Sequence, residues 1–130
     1  MVQSTAASNP AGVAKPRLKH QPIDMVHLGK QALGDHGLEC EVLRLFDTMS
    51  QAYYARLESS TSVDQLLQHL HTLKGAASGV GAWAIADLAR AAEEELRSGA
   101  PVNPERIDDL GMAVHECSAF IGELLDGEEA

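Results

Sequence analysis

The sequence predicts an all-α protein: an antiparallel up-down four-helix bundle with a short additional N-terminal helix. Three observations predict it. Apolar residues recur at steps of three and four from Pro22 onward, no alternating strand pattern of useful length occurs, and start and stop signals divide this region into one short and four long segments. Short connections between long amphipathic helices favour antiparallel neighbours.

Asp24 suits the cap of a first short helix that carries Met25, Leu28 and Leu33 to a break at Gly34-Asp35. The second helix has its apolar stripe at Leu38, Val42, Leu45, Phe46, Met49, Tyr53 and Leu57, and ends near Ser59-Ser60-Thr61. Ser62 with Gln65 forms a capping box that opens the third, whose stripe is Val63, Leu66, Leu67, Leu70, Leu73 and Ala77. Gly79 and Gly81 then punctuate the chain. A fourth helix fits Ala82 to Arg97, with Ile85, Leu88, Ala89, Ala92 and Leu96 inward and Gly99 as its stop. Asn103-Pro104 starts the fifth, since proline suits the first helical position, and Ile107, Leu110, Val114, Cys117, Ile121 and Leu124 form a narrow seam.

Residues 1–22, rich in Ala, Ser, Pro and Lys and without a hydrophobic period, read as a disordered leader, and residues 23–126 as one bundle domain. The formal charge of -9 is uneven: the leader holds Lys15, Arg17 and Lys19 and no acid. An acidic body repels nucleic-acid phosphates and anionic lipid, and no apolar run approaches a membrane span, so neither nucleic acid nor membrane is an expected partner. Cys40 and Cys117 are expected to be buried free thiols in a cytoplasmic protein.

The run His71-Thr72-Leu73-Lys74-Gly75, with Gly81-Ala82 beyond it, carries the chemistry. Steps of 100° place His71 about 110° from the centre of the third helix's stripe, at its water-exposed edge. Lys74 falls on the flank between His71 and the core, and Gly75 and Ser78 share the His71 face. A neutral imidazole nitrogen is a good nucleophile toward phosphorus, a lysine one turn away offsets the charge of a bound phosphoryl group, and a glycine removes a side chain that would block an approaching protein.

This constellation, with Ile85 and Leu88 at the next helical positions, resembles the signature of histidine-containing phosphotransfer (HPt) domains, and the similarity covers about residues 23 to 125. The resemblance implies a phosphorelay intermediate that accepts a phosphoryl group from the phospho-aspartate of a receiver domain and passes it to another, or the reverse. In that role His71 would be the phosphorylated nucleophile, Lys74 the support for the phosphate, Gly75 the clearance for the receiver and Ser78 a polar neighbour. The expected partners are response-regulator receivers or a hybrid histidine kinase. A monomer without cofactor or metal is expected, and not an enzyme in its own right, with the receiver supplying the aspartate and Mg²⁺. Ala76 and Ala77 depart from the family's frequent serines, and Gly79 is expected to loosen the turn into the fourth helix.

The alternative is a non-catalytic helical module that binds a receiver or kinase without accepting phosphate. A ferritin-like metal site ranks below both, because no helix carries the inward Glu-x-x-His pattern. His69 is expected at a polar edge, apart from His71, while His20, His27, His36 and His115 are expected to lack ligand companions at helical spacing. Glu93-Glu94-Glu95 reads as a solvated charged face, and Trp83 as packing on the end of the bundle.

Overall fold

The computed structural model describes residues 21–129, which form five helices and no strand. The expected leader lies outside the described residues as far as His20.

The first helix, α1, is Met25–Gln31. The Asp24 carboxylate caps it by accepting from the His27 amide at 3.0 Å. Leu33, expected inside this helix, lies beyond it with φ 56° and is 91% exposed. The chain turns there through Leu33 and Gly34, both left-handed, so the leucine cannot follow the helical stripe.

Asp35 caps α2, His36–Ser59, by accepting from the Leu38 amide at 3.0 Å. The buried residues of α2 are Leu43, Phe46, Ser50 and Leu57. Their mean direction is turned about 70° from that of the predicted stripe, at 100° per residue. Leu38 and Leu45 of that stripe are therefore exposed, while Val42 and Tyr53 are half-buried against the core and Met49 is half-buried. The apolar positions of α2 merge a core face with a second, outward face, and periodicity on one helix cannot separate them.

The predicted capping box opens α3, Val63–Val80: Ser62 Oγ accepts from the Gln65 amide at 3.1 Å, and Gln65 Oε1 accepts from the Thr61 amide at 2.9 Å. Leu66, Leu70, Leu73, Ala77 and Val80 face the core, and Val63 stays exposed. Only Gly81 ends this helix. It adopts φ 85°, and the Ala82 amide donates to the Ala77 carbonyl at 2.8 Å, which satisfies the last turn. Gly79, expected to loosen the turn, remains helical.

The fourth helix, α4, is Trp83–Arg97, with Ile85, Ala86, Ala89, Ala92, Glu93 and Leu96 buried. The fifth, α5, is Pro104–Glu129; Asn103 Oδ1 accepts from the Glu105 amide at 3.0 Å, and Leu110, Val114, Cys117 and Ile121 lie in the core. Each long helix packs on its sequence neighbour and α5 closes the ring on α2, giving the expected up-down bundle, with α1 against α3 and α2.

Two hydrogen bonds, one between backbones and one between side chains, tie the cap of α1 to the junction of α3 and α4. The Asp24 amide donates to the Gly81 carbonyl at 2.9 Å, and Trp83 Nε1 donates to Asp24 Oδ2 at 3.0 Å. The indole also meets the His27 ring edge-on at 4.9 Å, so Trp83 does pack on the bundle end while keeping one face exposed. Those hydrogen bonds, first from Trp83 and then from the His27 amide, hold the Asp24 carboxyl below its usual range. Both cysteines are free; Cys117 is buried, whereas Cys40 is only half-buried, contrary to expectation. Burial, reinforced by the charge of Asp47, pushes the Cys117 thiol up to about 12.

Candidate functional site

His71 lies two turns into α3, and its side chain is 67% exposed. The next residues of that helix set up its surroundings. Leu70 and Leu73 bury themselves completely, which fixes the rotation of α3 and turns His71 outward on the side of α4. Lys74, one turn on, is half-buried on the flank between His71 and the core. Gly75 is exposed, and a Cβ placed on it would meet nothing within 4 Å.

The partner of both His71 and Lys74 is Glu93 of α4. His71 Nδ1 lies 3.2 Å from Glu93 Oε2, and Lys74 Nζ lies 2.7 Å from Glu93 Oε1. Arg97, four residues along α4, donates from Nη2 to Glu93 Oε2 at 2.8 Å. The Glu93 side chain is only 5% exposed, so its charge is buried but held by three donors. Burial alone would raise the Glu93 carboxyl; the hydrogen bonds from Lys74, Arg97 and His71, with the charge of Lys74, outweigh that and bring it from 4.5 down to about 2.

An ionised carboxylate only accepts hydrogen bonds, so the His71–Glu93 contact requires the proton on Nδ1. Nε2 of the neutral ring then carries the lone pair, and among the described residues it makes no hydrogen bond. Two fixed cations against one carboxylate leave a local positive charge on a chain of net charge -9. The site thus combines a nucleophilic nitrogen with cations able to face an anion.

Ser78 stands apart from this group. It lies two turns beyond His71, and its hydroxyl makes no hydrogen bond among the described residues. Glu93 and Arg97 are the residues that sequence reasoning missed. The run expected to be a solvated face splits three ways: Glu93 is buried, Glu94 is exposed, and Glu95 pairs with Arg106 of α5. A signal for Glu93 was present, since positions 86, 89, 93 and 96 step by three and four along the buried face of α4.

The other histidines are accounted for differently. His69 is half-buried with its ring edge on Tyr53, 5.7 Å between centroids, on a flank separate from His71. His36, expected to lack a ligand companion, has Cys40 Sγ 3.9 Å from its Nε2. Among the described residues no group of three or more His, Cys, Asp or Glu side chains comes together as a metal site, and no helix is long and apolar enough to cross a membrane.

The fold and the site together define a helical-bundle protein that presents one prepared imidazole on the outside of the bundle. The chain belongs to the Hpt domain family, whose family model matches residues 41–126. Proteins of this family are phosphotransfer modules of two-component systems, acting with receiver domains and kinases. Searches of the curated proteins and of the solved structures found no match to the chain.

Proposed function

We propose that this protein is a phosphorelay intermediate that takes a phosphoryl group onto His71 from the phospho-aspartate of a receiver domain and gives it to another receiver, or runs the exchange in reverse. The observation that carries this reading is the bond from His71 Nδ1 to the buried Glu93 carboxylate, which leaves Nε2 as the free nucleophile on an exposed ring. In the transfer, Nε2 attacks phosphorus, the bond from phosphorus to the aspartyl oxygen breaks, and the aspartate leaves as a carboxylate. The ring becomes an imidazolium as the new bond forms. Glu93, still ionised, faces the proton on Nδ1 and stabilises that positive charge.

Lys74 and Arg97 serve the anionic side of the same step. Both are bound to Glu93 before transfer, and both have flexible stems that allow them to turn toward a phosphoryl group on Nε2. The receiver supplies the aspartate, the Mg²⁺ and most of the transition-state stabilisation, so this chain acts as a monomeric carrier and not as a self-sufficient enzyme. A cytoplasmic setting belongs to this reading, because reducing conditions keep free thiols such as Cys40 and Cys117 reduced.

The test is incubation with receiver domains charged with acetyl phosphate in the presence of Mg²⁺, followed by assay for acid-labile, alkali-stable phosphate. Label on the wild type and none on His71→Gln is expected. Label persisting in His71→Gln would overturn the assignment of His71, and no label from any receiver would overturn the relay itself.

A further inference from the structure

We infer that His36 and Cys40 are half of a metal site, and that a cation of the Zn²⁺ type joins two copies of this chain by taking both residues from each. The inference stands apart from the relay reading and uses no residue of the His71 site. His36 opens α2 and Cys40 follows four residues on, so both side chains lie on one face of the helix. His36 Nε2 is 3.9 Å from Cys40 Sγ. Bonds of about 2.3 Å to sulfur and about 2.05 Å to nitrogen at a tetrahedral angle set two such atoms about 3.5 Å apart. A small rotation of the Cys40 side chain closes the difference.

The imidazole is already turned for this use. Glu39 Oε1 lies 3.3 Å from His36 Nδ1. A carboxylate only accepts hydrogen bonds, so the proton sits on Nδ1 and the lone pair of Nε2 faces the sulfur. A histidine bound to a metal ordinarily donates its other ring N–H to such a carboxylate, which fixes the ring and makes it a better ligand. Glu39 is itself held, with its side chain 16% exposed and its Oε2 so close to α1 that a Cβ on Gly29 would lie 3.4 Å away. Packing of α1 on α2 thereby backs the group that orients the ring.

The ligand atoms select the ion. A thiolate with an imidazole suits Zn²⁺, whereas Mg²⁺ and Ca²⁺ take oxygen ligands. On binding, the Cys40 thiol gives its proton to solvent, and the sulfur and Nε2 each donate an electron pair to the ion without any change of oxidation state. A closed zinc site takes four ligands, and among the described residues no group of three His, Cys, Asp or Glu side chains gathers to hold a metal. A second copy supplies the missing pair. The His36 side chain is 62% exposed at the start of α2, and Cys40 lies outside the hydrophobic core, so another molecule can reach both. A two-fold axis through the ion then gives a Cys₂His₂ centre. Two thiolates balance the charge of the ion, so the centre adds no charge where two chains of net charge -9 meet.

The test uses the full chain, reduced with a phosphine and titrated with Co²⁺ as a spectroscopic probe and with Zn²⁺ for mass. Variants are Cys40→Ser, His36→Ala and Glu39→Ala, with His115→Ala as the control, since His115 is exposed on α5. Circular dichroism checks that each remains helical. Labelling of His71 by phosphoramidate, a small phosphoryl donor that needs no docking, checks that the rest of the bundle is intact.

In the wild type, Co²⁺ should give a sulfur-to-metal charge-transfer band and the visible bands of a tetrahedral ion, saturating at one ion per two chains. Zn²⁺ should double the mass seen by sedimentation, and EDTA should restore the monomer. Cys40→Ser and His36→Ala should lose the bands and the dimer, His115→Ala should keep both, and Glu39→Ala should bind at least about tenfold more weakly. A wild type without the sulfur band, or bands unchanged in Cys40→Ser, overturns the site. Saturation at one ion per chain with the mass of a monomer overturns the sharing of the ion. None of these readings depends on phosphate transfer, so failure of every receiver to label His71 would sink the relay and leave the metal site standing.

Discussion

Glu93 Oε2 lies 3.2 Å from His71 Nδ1 and 2.8 Å from Arg97 Nη2, so one buried carboxylate oxygen joins the exposed imidazole to α4. The relationship spans 22 residues of sequence and dictates which ring nitrogen is free. Glu93→Gln keeps the shape but removes the charge. It should slow receiver transfer by about 10- to 100-fold, the effect of losing one charge-assisted hydrogen bond of about 1.5–3 kcal/mol. In the same variant the ¹⁵N shifts of His71 should move from the Nδ1–H form toward a mixture of tautomers. Unchanged shifts together with an unchanged rate would remove Glu93 from the reaction.

Lys74→Ala should leave the bundle folded and shorten the lifetime of the phosphohistidine, because only Arg97 remains to face the phosphoryl group. It should also raise the Glu93 carboxyl above about 2, since the Lys74 hydrogen bond ranks first among the interactions that lower it. Hydrolysis followed over time, with NMR titration of Glu93, checks both. An unaltered lifetime would mean that Lys74 only holds Glu93 in place.

Acid should weaken the fold through the same carboxylate. The folded-state value of Glu93 is depressed from 4.5 to about 2, so its contribution is fully present above pH 4.5 and is lost as pH falls through about 2. At 1.36 kcal/mol per unit, this contribution is at most about 3 kcal/mol. Urea unfolding of wild type and Glu93→Gln should therefore give a gap that is constant above about pH 5 and shrinks steadily below it. A gap of constant size down to pH 2.5 would contradict the depressed value.

Gly75→Ala separates stability from transfer. With open space around the position, alanine should stabilise α3 by about 0.5–1 kcal/mol, visible as a higher melting temperature. Transfer from a receiver should nonetheless slow while labelling by phosphoramidate is unchanged. Faster or equal receiver transfer would show that clearance at Gly75 is irrelevant to docking.

Gly81→Ala should do harm of another kind. Gly81 has φ 85°, and a Cβ there would lie 3.0 Å from both Cβ and the carbonyl oxygen of Asp24. The strain and the displaced contact should cost about 1–3 kcal/mol and pull Asp24 from Trp83, shifting the tryptophan fluorescence. A variant as stable as the wild type, with unaltered emission, would show that the α1 attachment does not depend on this glycine.

The sequence by itself determined the helices and the identity of the exposed histidine. Ser62 and Gln65 announced α3, Asn103 and Pro104 announced α5, and the spacing of Leu70, Leu73 and Ala77 placed His71 at the edge of its own helix. These are local facts, set by capping chemistry and by rotation about one axis. What α4 brings to His71 is not local. Glu93, Arg97 and the outward face of α2 at Leu45 depend on how neighbouring helices are turned toward one another, which side-chain packing across the bundle sets. The tertiary structure thereby turned one member of an apparently solvated Glu run into the buried acceptor of the site, because only the packed neighbours bring three donors to its carboxylate and hold it ionised.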